Sequence, residues 1–122
     1  MTIYNGKEML EGPLFMKSMM SNENVENHAL SDAQRAFKAG IHCENVLLDD
    51  SYSRSVDRGA VLDLLEYLAT GKYSVLVVEN IYDITTDAGD LKVMIDRING
   101  MDVIIFELST VTARFNNYAK EC

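Results

Sequence analysis

The run Ser74-Val-Leu-Val-Val78 is apolar after its first residue and leads into an acid-rich loop. A strand with one face in water alternates polar and apolar residues, whereas one without polar positions is covered on both faces. Helices supply such covers, so this short segment points to a parallel sheet between helical layers. The rest of the chain has the matching alternation. Pro13-Leu-Phe-Met-Lys17, Asn45-Val-Leu-Leu48 and Asp102-Val-Ile-Ile-Phe106 read as further strands. Asn22 to Ala39 reads as a helix, with Val25, Ala29, Ala33 and Phe37 recurring every four residues, Leu30 beside them, and Gly40 as its stop. A second helix is capped by Ser55 or Asp57, turns Val61, Leu62, Leu64, Leu65 and Leu68 inward, and closes at Gly71. A third spans Ala88 to Asn99 with Leu91, Met94, Ile95 and Ile98 inward. Thr110 to Ala119 reads as a short final helix. The expected fold is α/β, a mainly parallel four- to five-stranded sheet with helices on both faces and right-handed crossovers. Residues 1–12 show no periodicity and are expected to form a weakly ordered arm. Residues 13–122 form the domain.

Charge limits what such a domain binds. The net charge is −8, from 19 acidic against 11 basic residues, and the basic residues are scattered. Gripping a phosphate backbone takes clustered Lys and Arg, so weak or no autonomous DNA binding is expected. No apolar run approaches the roughly 20 residues that span a bilayer, and no membrane partner is expected. The start, MTIYNGKEMLEG, lacks the basic-then-apolar order of a signal peptide. Cys43 and Cys122 form neither a disulfide framework nor a metal spacing, which makes a reducing cytoplasm the default.

In parallel α/β sheets the carboxyl ends of the strands carry function. Here those ends are residues 17–22, 49–58, 79–88 and 107–110. Asp49, Asp50, Glu79, Asp83 and Asp87 offer oxygen ligands of the kind Mg²⁺ takes, which gives one reading, an acidic Mg²⁺-binding protein. The plainer account is that these acids cap helices and line solvated loops. His28 lies inside a helix and His42 ahead of the second strand, so neither reads as catalytic. No Gly-x-Ser-x-Gly, Walker loop or Gly-x-Gly-x-x-Gly occurs. No cofactor and no metal are expected. Met16, Met19 and Met20 read as core filler or strand-end packing.

The length and the Asp49-Asp50 pair resemble phosphoacceptor receiver domains, but the pair follows the second strand and Glu107 stands where a receiver has lysine. A broader resemblance is to the catalytic domain of serine recombinases of the resolvase/invertase family. It rests on Asp49-Asp-Ser-Tyr-Ser-Arg-Ser-Val-Asp-Arg58, the leucine-rich helix after it, and Gly71-Lys-Tyr-Ser-Val-Leu-Val-Val78. Glu26-Asn27-His28 and Val103-Ile-Ile-Phe-Glu107 extend the likeness to residues 13–110. Order and spacing carry it, rather than one element.

The resemblance implies DNA strand exchange through a serine nucleophile, with several cations around the pentacovalent phosphorus. The family's Tyr-x-Arg-x-Ser motif falls on Phe15-Met-Lys-Ser-Met19, which puts Lys17 at the arginine and Met19 at the serine. A thioether cannot make the attack. Ser18 and Ser21 are the remaining nucleophile candidates, and with Lys17 and Arg58 they define an alternative reading as a residual recombinase. The family's Asp-Arg-x-x-Arg loop falls on Tyr82-Asp-Ile-Thr-Thr86, so Asp83 and Thr86 replace both arginines. Arg58, Ser53 and Asp49 remain as vestiges. At roughly 2–4 kcal/mol per lost transition-state donor, such losses leave negligible catalysis. The resemblance therefore implies an inactive homologue, a relic of a mobile element or a regulatory module. Its partner would be a second copy or a recombinase subunit, since relatives associate through this domain. The family's long dimer helix and DNA-binding domain are not expected before Cys122.

Overall fold

The computed structural model describes residues 2–4, 7–17, 22–51, 53 and 55–109. Strand β1 (Thr2–Tyr4) is followed by β2 (Lys7–Lys17), α1 (Asn22–Lys38), β3 (Ile41–Asp49) and α2 (Gly59–Leu68). Then come β4 (Val75–Val78), a single 3₁₀ turn (Ile81–Asp83), α3 (Ala88–Asn99) and β5 (Ile104–Glu107). Four strands run parallel in the order β3-β2-β4-β5, and β1 pairs antiparallel with the start of β2. The α/β class and the parallel sheet are as the alternation of patterns predicts.

Successive side chains of the inner strands point to opposite layers, as the two-residue strand period requires. Phe15, Leu76, Val78 and Ile105 pack with Val61, Leu64, Leu65 and Leu68 of α2 and with Leu91, Met94 and Ile98 of α3. On the other face Leu14, Met16, Val75, Val77 and Phe106 pack with Ala29 and Ala36 of α1. All four residues of β4 are fully buried, so the wholly apolar run is covered on both faces.

Several local expectations are corrected. Residues 1–12 do not form a loose arm where they are described, because β2 begins at Lys7 and pairs with β1. The expected strand began at Pro13, which has no N–H to give a ladder. Instead the strand runs through it, with a register irregularity between Gly12 and Leu14 that accommodates the missing donor. Gly12 is needed at that point: a Cβ there would stand 1.5 Å from the carbonyl oxygen of Val75. Strand β3 likewise begins earlier than predicted, at Ile41, directly after Gly40 turns the chain with φ +90°.

Helix α1 buries Val25, Ala29, Asp32 and Ala36, whereas Leu30 and Phe37 are exposed. Stepping by four residues drifts roughly 40° per step around a helix, so the expected 25-29-33-37 stripe leaves the true face after two members. Leu62 of α2 is also exposed. Neither Ser55 nor Asp57 caps α2, for Arg58 occupies the N-cap position without a side-chain cap. Helix α3 spans Ala88 to Asn99 as predicted, with the Asp87 carboxylate accepting from Asp90 N at its start. The final-helix expectation at Thr110 to Ala119 lies outside the described residues.

Candidate functional site

The carboxyl ends of β2 and β3, the start of α2 and the loop after β4 converge on Asp49. This carboxylate is 2% exposed. Its Oδ2 accepts from Lys17 Nζ at 3.0 Å and from Arg58 Nε at 2.7 Å. Its Oδ1 accepts from the Ser51 amide at 3.0 Å and the Ser51 hydroxyl at 2.7 Å. Burial alone would raise the Asp49 carboxyl; the Ser51 donors, Lys17 and Arg58 outweigh it and hold the group well below the usual carboxylate range.

The two cations are engaged further. Lys17 Nζ also donates to the carbonyls of Ser51 and Ser53, so its three N–H bonds all end inside the protein. Arg58 Nη1 donates to Ser55 O at 2.9 Å and Ile84 O at 2.6 Å, and Nη2 to Asp83 O at 2.6 Å. With the Nε bond to Asp49, four of the five guanidinium N–H groups have internal acceptors. Side-chain exposure is 7% for Lys17 and 4% for Arg58.

Of the residues singled out from sequence, Lys17, Asp49, Arg58 and the backbone of Asp83 are thus brought together. Ser53 joins through its carbonyl, while its hydroxyl accepts from Ser55 N at 3.2 Å. Thr86 is exposed and shares no contact with the cluster among the described residues. Ser18, Met19 and Ser21 lie outside the described residues. The acidic Mg²⁺ reading is not supported by the geometry. Asp49 is taken by Lys17 and Arg58, Asp87 caps α3, and Glu79 turns to the opposite face of the sheet. Glu107 has a structural task, its Oε2 accepting from Ile81 N at 2.7 Å and so fixing the turn after β4.

A second cluster sits on the α1 face and was not foreseen. His28 Nε2 contacts Glu79 Oε2 and stands 3.5 Å from Asp32 Oδ2. Asp32 is 2% exposed, and its Oδ2 has no hydrogen-bond partner among the described residues. Burial, then the apposed Glu79 carboxylate, pushes Asp32 up to about 7, against the pull of His28 and Arg35. The available signal was the four-residue step from His28 to Asp32, which places both on one side of a helix. His42 is unrelated to it and pairs with Glu11 at 3.1 Å.

No protein-family model matches this chain, and no curated protein is similar to it in sequence. Solved structures with the same architecture do exist. The C-terminal catalytic domain of ISC1926 TnpA, an IS607-like serine recombinase, superposes with a TM-score of 0.69 over 81% of this chain and 69% of that one, at 16% identity. The N-terminal catalytic domain of TP901-1 integrase gives a TM-score of 0.67 over 81% of this chain and 77% of that one, at 12% identity. The chain has the fold of a serine recombinase catalytic domain. No helix among the described residues is long and apolar enough to cross a membrane.

Proposed function

We propose that this chain is a serine recombinase-fold protein that does not cut DNA and acts instead as an interaction module. The observation that carries the reading is the closed cation cluster. Lys17 and Arg58 are turned inward onto Asp49 and backbone carbonyls, and among the described residues seven of their eight N–H groups already have acceptors. Stabilising a phosphorane requires donors aimed outward at the charge that develops on its oxygens. Asp83 and Thr86, standing where the family resemblance places two arginines, add none.

The partner is a second copy or a recombinase subunit. Val46 and Leu48 support this: they pair with Leu14 and Met16 on the α1 face, yet are 37% and 43% exposed. Adduct trapping tests the loss of chemistry. The protein is incubated at high concentration with nicked duplex DNA, and covalent protein–DNA species are resolved on a denaturing gel. None is expected. An adduct that disappears in Ser18→Ala or Ser21→Ala would overturn the proposal in favour of a residual recombinase.

A further inference from the structure

We propose that His28, Asp32 and Glu79 form a binding site for one divalent cation of the zinc class. One nitrogen and two carboxylates each offer a ligand atom, and these atoms lie within 4.8 Å of one another. The helix supplies two of them at i and i+4, and the loop directly after β4 supplies the third. Donor atoms around one tetrahedral zinc stand roughly 3–3.5 Å apart. His28 Nε2 and Asp32 Oδ2 already have that separation, at 3.5 Å. Glu79 needs only to exchange its direct contact with His28 for the ion.

The orphaned oxygen is the independent sign of a missing ligand. A buried polar atom without a hydrogen bond is costly, and native structures rarely leave one. Among the described residues Asp32 Oδ2 is such an atom, on a side chain 2% exposed, and it lies beside the imidazole. The other oxygen, Oδ1, is directed to Arg35 at 3.6 Å, and Arg35 is itself anchored on Leu108 O. That arrangement fixes the carboxylate with Oδ2 turned into the cluster.

Charge and access agree with a dication. A bound ion is held by carboxylates and a ring nitrogen that have given up their protons, so a divalent cation would offset the repulsion between Asp32 and Glu79. The imidazole selects zinc-like ions over Mg²⁺ and Ca²⁺, which prefer all-oxygen sites. His28 and Glu79 are 33% and 37% exposed, so the ion enters from solvent and meets Asp32 at the base. The site is on the sheet face opposite α2, and the assignment does not depend on whether phosphoryl chemistry survives at Arg58.

Isothermal titration of the chelator-stripped full chain with Zn²⁺, backed by equilibrium dialysis, tests the assignment. One zinc per chain is expected. Asp32→Asn and Glu79→Gln should each weaken binding by about tenfold or more. Should Asp32→Asn fail to fold, Glu79→Gln and His28→Gln decide, because both side chains lie partly in solvent. Absence of zinc binding, or equal affinity in those variants, overturns the site; the latter would move the ion to a cysteine or to His42.

Discussion

Arg58 shows how a residue suited to phosphate chemistry becomes part of the frame. Its guanidinium joins the end of β3, the loop before α2 and the turn after β4, all within a buried network. Removing one partner of a buried ion pair costs about 3–5 kcal/mol; Lys17 and Ser51 would still hold Asp49, but the Ser55, Asp83 and Ile84 carbonyls would lose their donor. Arg58→Ala is therefore expected to lower stability to chemical denaturation by about 3 kcal/mol or more. A residue kept only for catalysis would cost far less. The pH dependence has a definite sign. The Asp49 carboxyl titrates lower when folded than its ordinary value of 3.8, so the unfolded chain takes up the proton first. Stability from this network is complete well above that value and is lost as pH falls below it. Urea midpoints measured down the acid range should show this decline in the wild type and a flatter profile in Asp49→Asn. Lys17, Asp49, Arg58 and Asp83 were legible as a group because the family resemblance ordered them along the chain. Asp32 was not, since a buried aspartate breaks the rule that helix faces are read by their apolar residues.

The elements show which sequence signals are physically binding. Helix α3 was readable end to end because its cap, its apolar stripe and its closing Asn99-Gly100 agree with one another. Strand β2 was read short because residues 1–12 show no periodicity, and the strand continues through Pro13 with an irregular register beside it. The close approach of β2 to β4 leaves no room for a side chain at Gly12. Gly12→Ala drives a Cβ into the Val75 carbonyl, and backbone cannot yield as a flexible side chain would. The expected loss exceeds about 3 kcal/mol or abolishes folding, as read by circular dichroism. Leu30→Ser provides the contrast on α1: with the side chain 60% exposed, its effect should stay within about 0.5 kcal/mol. Leu64→Ala, fully buried on α2, should cost about 2–5 kcal/mol.

At the scale of the whole molecule, a parallel sheet with helices on both faces follows from one apolar strand and the alternation around it. The fold alone is silent on activity, because function resides in the side chains placed on it. Here the acidic balance and the closed cluster point the same way. Duplex DNA is expected to bind more weakly than about 100 µM at physiological salt, measured by fluorescence anisotropy. Self-association should depend on the uncovered apolar side chains of β3, so Leu48→Asp is expected to shift a dimer toward monomer in sedimentation equilibrium. The central claim is that Arg58 faces inward and does not meet phosphate. The most direct measurement is the Arg58 Nε–Hε resonance during a titration with a short single-stranded oligonucleotide. The account predicts a slowly exchanging signal that does not move. A progressive shift saturating with the oligonucleotide would show the guanidinium leaving Asp49 for phosphate, and would contradict it.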